Sequence, residues 1–308
     1  MIVAVLGAGT MGAGIAQLAA ASGADTLVYD PDKDALARGI ASIEQRLARE
    51  AEKGRLAAGR RGALEAAEDL EELIVADVVI EAAPEKLPLK QDIFAELDKI
   101  APRRALIASN TSVIPITRIA ARVEHRDRVL GTHWWVPPYL VPLVEVIETE
   151  KTAPASIATM MELLTSVGKE AVHVRKDVPG FIGNRLQHAL WREAIALVQA
   201  GVCDAPTIDK VVKASFGRRL AVIGPLESAD LVGTDLALDC HVELLADLDR
   251  TPGPLPYLRD LVASGRLGFK TGEGFRKWTP AEQAELRAKL TAHLKKMAAE
   301  LDRPKQGG

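Results

Sequence analysis

Ile2-Val3-Ala4-Val5-Leu6-Gly7-Ala8-Gly9-Thr10-Met11-Gly12 is the stretch whose reading decides the fold. Five apolar residues fit a buried strand. The glycines that follow form a GxGxxG turn, and a run of small residues continues as a helix to about Ala21. Each glycine has a mechanical task if this turn holds a dinucleotide. Gly7 permits the tight exit from the strand, Gly9 lets the backbone approach a pyrophosphate, and Gly12 lets the helix pack on the sheet. Free N–H groups and the positive dipole end at the helix N-terminus, at Thr10 and Met11, then face the phosphates.

Working outward, Asp25–Tyr29 reads as a second strand ending at Asp30, 18 residues past Gly12. A carboxylate there accepts hydrogen bonds from ribose hydroxyls and repels a 2′-phosphate, which favours NAD over NADP. The motif alone also fits a glycine-rich turn of another α/β fold, with Asp30 capping a helix. Strand before, helix after and acid in place together favour the dinucleotide reading.

Helical segments are expected from about Asp34 to Glu72, with breaks at Gly54 and Gly59–Gly62. Asp77–Ala82, Ala105–Ser109, Val129–His133, Leu143–Ile147 and Val172–Val174 read as strands, and Leu89–Ile100 as an amphipathic helix. Alternation of strands and helices predicts an α/β domain with a mostly parallel, doubly wound sheet. Near Asp177-Val178-Pro179-Gly180 the pattern changes. Phe181–Ala200, Ala205–Ser215, Ser228–Ala246, Tyr257–Ser264 and Thr279–Leu301 read as helices. The expected division is therefore 1–178 for the sheet domain and 179–308 for an all-α domain, with residues 302–308 a polar tail.

Bulk properties exclude several classes. A net charge of −3 lacks the basic footprint of a nucleic-acid binder. Cys203 and Cys240 supply neither a disulfide framework nor metal-ligand spacing, so no metal and a reducing, cytoplasmic setting are expected. Residues 1–24 carry no charged side chain, yet five glycines interrupt them, so a strand, turn and buried helix explain them better than a membrane span.

Four polar residues stand out by position. Ser112 follows an apolar strand, His133 closes one, Glu145 interrupts the run Leu143–Ile147, and Asn184 lies at the start of the helix opening the second domain. Hydride transfer from an alcohol needs a base for the hydroxyl proton, and histidine suits that task near neutral pH. A carboxylate on its other ring nitrogen fixes the tautomer. Residue type alone leaves alternatives: Glu145 facing solvent on an edge strand, His133 as a satisfied core histidine, Ser112 and Asn184 as ordinary caps. Glu85 and Lys90 follow the strand ending at Ala82, where a ligand would lie, though Lys90 equally fits a solvated helix position.

These segments, with Ala108–Ser112, Gly131-Thr132-His133, Pro142–Val146, Asp177–Arg185 and Gly265–Gly272, resemble the 3-hydroxyacyl-CoA dehydrogenase family in order and spacing. The resemblance implies a Rossmann domain followed by a helical dimerisation domain, hence a homodimer. It implies His133 as acid or base with Glu145 as its partner. Ser112 and Asn184 would meet the reacting oxygen region, and Glu85, Lys90 and Asn110 the cofactor. The reaction implied is reversible hydride transfer between C3 of a 3-hydroxyacyl substrate, such as a CoA thioester, and NAD.

This chain departs from the family pattern at Val136, where an asparagine is usual after the two aromatics, so an apolar side chain stands in the substrate pocket. Pro137–Pro142 and Gly224–Glu227 resemble relatives acting on small free hydroxy acids or a pyridine carboxylate. The segment between Arg55 and Asp69 is shorter than usual; its neighbourhood offers Arg46, Arg49, Lys53, Arg55, Arg60 and Arg61, for CoA phosphates or as a solvated face interleaved with Glu44, Glu50 and Glu52.

Overall fold

The computed structural model describes residues 1–54, 56 and 61–301. Arg55, Arg60 and the tail 302–308, named above, lie outside the described residues. Among the described residues two compact units emerge: residues 1–185 with 293–301, and residues 186–292. The first unit retains Pro179–Arg185, beyond the expected division at 178, because backbone and side-chain groups of Ile182, Gly183 and Asn184 bond to Glu145 and Ser112.

The first unit is an eight-stranded sheet: β1 Ile2–Leu6, β2 Asp25–Tyr29, β3 Leu64–Ala66, β4 Val78–Glu81, β5 Leu106–Ser109, β6 Val129–Trp134, β7 Leu143–Ile147 and β8 Glu170–Val174. Their order is β3-β2-β1-β4-β5-β6-β7-β8. All neighbours run parallel except β6 and β7. The chain winds outward from β1 in both directions, so the switch point lies between β1 and β4. Parallel strands put the ends of β1, β4, β5 and β6 on one edge, the side where such sheets bind ligands.

Helices α1 Thr10–Ala21, α2 Lys33–Glu52 and α5 Pro154–Ser166 cover one face, where Ile15, Ile43, Leu47, Met160 and Leu164 pack on Val5, Ile80 and Leu130. Helices α3 Leu87–Ile100 and α4 Ile116–Ile119 cover the other, where Phe94, Leu97 and Ile119 pack on Val79 and Ile107. Burial on both faces explains why the strands read as continuous apolar runs.

The region expected to be helical through Glu72 instead contains β3, a three-residue edge strand, and a short 3-10 turn at Glu71–Val75. The second unit is helical as expected: the remainder of α6 Gly183–Gln199, then α7 Ala205–Ala214, α8 Pro225–Val232, α9 Thr234–Leu244, α10 Pro256–Ala263 and the start of α11 Pro280–Leu301. The single helix expected over Ser228–Ala246 is broken by Gly233, whose φ of +101° no helix accommodates. Among the described residues, no helix is long and apolar enough to cross a membrane.

Candidate active site

The glycine turn meets a structural test for a dinucleotide. Gly7 has φ +104°, a conformation costly for residues with a Cβ. A Cβ on Gly12 would overlap the Gly7 carbonyl, whereas one on Gly9 meets nothing within 4 Å. Gly12 is therefore fixed by helix packing, and the open space beside Gly9 fits the close approach of a phosphate. No side chain caps the N-terminus of α1, which leaves its first-turn N–H groups for a ligand. Asp30 stands at the end of β2 and already holds the turn. Its Oδ2 accepts from the Ala8 N–H at 2.8 Å and its Oδ1 from the Asp32 N–H at 3.0 Å.

The next two strand ends carry a connected polar network. Glu81, wholly buried at the end of β4, accepts from Lys90 Nζ at 2.6 Å, the Ala83 N–H at 2.6 Å and Ser109 Oγ at 2.6 Å. Lys90 is wholly buried too and also donates to the Ala83 carbonyl at 3.2 Å, with Glu85 Oε2 at 3.6 Å. Lys90 is thus neither a solvated helix residue nor a group open to a ligand in this conformation; it braces Glu81 and Glu85. Removing one member of such a pair strands a buried charge, at a cost of about 3–5 kcal/mol.

Glu85 in turn organises the loop after β5. Its Oε1 accepts from Thr111 Oγ1 at 2.5 Å and the backbone N–H groups of Ser112 at 3.0 Å and Val113 at 3.2 Å. Burial alone would raise its pKa, but these donors and the Lys90 charge hold it below the usual value. Asn110 Oδ1 accepts from the Trp134 N–H at 3.1 Å, joining the ends of β5 and β6. Ser112 presents an exposed side chain on the loop so fixed.

His133 and Glu145 face each other as a cross-strand pair in the antiparallel junction of β6 and β7. Both are buried, and His133 Nδ1 lies 2.7 Å from Glu145 Oε2. The other carboxylate oxygen, Oε1, accepts from the N–H groups of Ile182 at 2.9 Å and Gly183 at 3.1 Å, where α6 begins. Burial pushes the Glu145 pKa up, yet the His133 bond and these two N–H groups outweigh it and leave the pKa lowered. An ionised Glu145 accepts a hydrogen bond from Nδ1–H of His133, which leaves Nε2 as the basic nitrogen.

The turn that brings Ile182 and Gly183 to Glu145 uses two left-handed residues, Gly180 at φ +75° and Phe181 at φ +51°. A non-glycine residue there costs about 1–2 kcal/mol. Phe181 offsets the strain by complete burial, with its ring 5.7 Å from the His133 ring, while the Trp135 ring lies 5.1 Å away. Asp177 anchors the approach to this turn by capping α4, accepting from the Ile116 and Thr117 N–H groups at 3.0 and 2.6 Å. Asn184 Nδ2 donates to the Ser112 carbonyl at 2.8 Å, so α6 is tied to the Glu85 loop. Val136 is 64 % exposed and contributes only hydrocarbon.

All the site residues expected from the sequence thus lie along one edge of the sheet in the first unit. Glu81, Thr111, Trp135 and Phe181 were missed by sequence reasoning. Thr111 and Phe181 lie inside the segments Ala108–Ser112 and Asp177–Arg185 quoted above, and Glu81 is an acid closing the apolar run Val78–Ile80, as Glu145 interrupts its own. Of the basic residues near α2, Arg61 pairs with Glu44, Lys53 lies 4.0 Å from Glu50, and Arg46 stacks 5.2 Å from the Tyr139 ring centroid. Two of these cations thus lie beside acids and one beside an aromatic ring.

Residues 2–178 match the family described as 3-hydroxyacyl-CoA dehydrogenase, NAD binding domain, and residues 180–278 match its C-terminal domain. The cofactor is therefore NAD. The chain is 36% identical over 295 residues to the 5-formyl-3-hydroxy-2-methylpyridine 4-carboxylate 5-dehydrogenase of Mesorhizobium japonicum, covering 95% of each. It is 39% identical over 276 residues to a probable 3-hydroxybutyryl-CoA dehydrogenase of Bacillus subtilis, covering 88% of this chain and 95% of that one. Among solved structures, a dehydrogenase of that pyridine compound, described as an NAD+ dependent dismutase, superposes with a TM-score of 0.88 at 35% identity, covering 97% of this chain and 96% of its own. The (S)-3-hydroxybutyryl-CoA dehydrogenase of Ralstonia eutropha superposes with a TM-score of 0.75 at 33% identity, covering 90% of this chain and 99% of its own.

Proposed function

The chain belongs to the 3-hydroxyacyl-CoA dehydrogenase family, a family of NAD-dependent oxidoreductases, and from that premise we propose that it interconverts a 3-hydroxyacyl substrate and its 3-keto form, with His133 as the acid–base group. The single observation carrying the mechanism is the buried His133–Glu145 pair at 2.7 Å, beside strand ends built for a dinucleotide. NAD, when bound, supplies the hydride acceptor. In the oxidation direction Nε2 of His133 takes the hydroxyl proton, and Glu145 stabilises the imidazolium across the strand pair. Ser112 and Asn184 hold the substrate oxygen. Gly7–Gly12, Asp30, Glu85 and Asn110 hold the cofactor, and Lys90 acts on it through Glu85.

A second reading, a small free acid carrying a hydroxymethyl or aldehyde group on a ring, is favoured by the 0.88 TM-score to the pyridine-compound dehydrogenase. Apolar Val136 suits a flat ring as well as an acyl chain. NADH oxidation with acetoacetyl-CoA, free 3-keto acids and pyridine aldehyde carboxylates, run on the wild type and Val136→Asn, separates the two. Turnover of the thioester alone supports the first reading, and of the ring compound alone the second. Silence with every compound would sink both.

The proposal includes a cytoplasmic homodimer. The second unit exposes Val222, Leu226, Leu231 and Val242 by 69–83 %, more apolar surface than isolated helices usually leave to water. Light scattering that gives a monomer mass would remove the dimer from the proposal.

A further inference from the structure

Lys169 is a buried cation with no carboxylate partner among the described residues. It lies between α5 and β8, is 8 % exposed, and among the described residues no charged partner offsets the desolvation of its ammonium. Burial lowers its pKa from 10.5 to about 8, so the group still carries its charge at neutral pH. Such a charge is costly to bury and is retained where the bonds it makes matter. Its acceptors are the carbonyls of Pro138 and, at 3.0 Å, Val141, and the Trp134 ring centroid lies 5.7 Å from Nζ. Glu162 and Glu170, the nearest acids along the chain, are exposed. Tyr139 faces Arg46, and His133 and Glu145 face each other.

Both carbonyls belong to the loop 135–142, which joins the strand of His133 to the strand of Glu145. Its inner turn closes on Pro137, whose carbonyl accepts from the Leu140 and Val141 N–H groups at 3.0 and 3.1 Å. Pro138 is buried against α1, where a Cβ on Gly14 would overlap its ring. The loop begins with Trp135, next to the His133 ring, and with exposed Val136. One ammonium therefore holds the connection that sets both the lining of the site and its seat on the dinucleotide-binding helix. Hydrogen bonds from a charged donor are the strong kind suited to this.

We propose that Lys169 is a positioning residue for hydride transfer: its ammonium clamps the loop 135–142 so that Trp135 and Val136 hold the substrate against His133. The proposal rests on the dehydrogenase reading above. The test uses the full chain with Lys169→Met and Lys169→Arg, reading NADH affinity, steady-state kinetics with whichever keto compound the wild type turns over, and amide exchange at Leu140 and Val141.

In Lys169→Met, exchange at these two amides should quicken about tenfold and kcat/KM should fall about tenfold, with NADH affinity unchanged within twofold. Lys169→Arg should restore most of both losses. Equal loss of NADH binding, or unchanged kcat/KM despite faster exchange, overturns the positioning role. Unchanged exchange in the Met variant overturns the clamp itself. A wild type without turnover sinks the dehydrogenase reading instead, and exchange beside unchanged NADH affinity then decides the clamp alone.

Discussion

Strand β7 and its exit supply the glutamates of two histidine–glutamate pairs that match in length but differ in their surroundings. His133 and Glu145 meet at 2.7 Å, with side chains 4 % and 2 % exposed. His173 and Glu148 meet at 2.8 Å, with side chains 31 % and 30 % exposed. Bond length does not separate them; the ring nitrogen engaged (Nδ1 of His133, Nε2 of His173), burial and the loading of the second carboxylate oxygen do. At Glu145 that oxygen takes two backbone N–H groups from the start of α6. The inner carboxylate is thus fixed in place and in charge, while the outer pair shares its environment with water, which screens it.

The largest expected contrast is catalytic. His133→Ala should lower kcat about a thousandfold while leaving NADH affinity within twofold, measured by turnover and NADH fluorescence. Near-normal turnover would show that the base lies elsewhere. Glu145→Gln should lower kcat about a hundredfold. An amide has one oxygen, so it cannot accept from the ring nitrogen on one side and from two N–H groups on the other. Loss of less than fivefold would make the carboxylate a packing group.

Acid stability sharpens the same contrast. The folded pKa of Glu145 lies below its ordinary value of 4.5. Its contribution to stability is therefore complete above pH 4.5 and is lost as pH falls through the folded pKa. Thermal melts of Glu145→Gln should decline less steeply below pH 4.5 than those of the wild type; identical slopes would contradict this assignment. The smallest effect belongs to the outer pair. His173→Ala should leave kcat/KM within twofold and cost less than about 1 kcal/mol in denaturant melts. A larger loss would end the distinction drawn between the pairs.

Legibility followed the length and periodicity of each element. The β1 strand, glycine turn, Asp30 and His133 stood out because they lie at or near strand ends after apolar runs, and Glu145 because it is a lone acid inside one. Three-residue β3 was not, since Leu64-Glu65-Ala66 is too short to show alternation and only Leu64 is even half-buried. The burial of Lys90 was not legible, because no local pattern announces that a lysine four positions into α3 will turn inward to a buried Glu81. Lys169 gave no signal at all, since its partners are backbone carbonyls about thirty residues earlier. Gly233 was visible as a glycine but not as a break, because its φ of +101° depends on how the chain turns between α8 and α9.

The reversal between β6 and β7 has a use for anyone wishing to retrain this scaffold. Because His133 and Glu145 sit on paired rungs of one hairpin, the residues between them form a single continuous segment whose replacement can leave that pairing in register. Two conditions govern such grafts. The rungs must keep their parity, since a shift by one residue turns Glu145 to the opposite face of the sheet. The new segment must also offer carbonyls to the ammonium of Lys169.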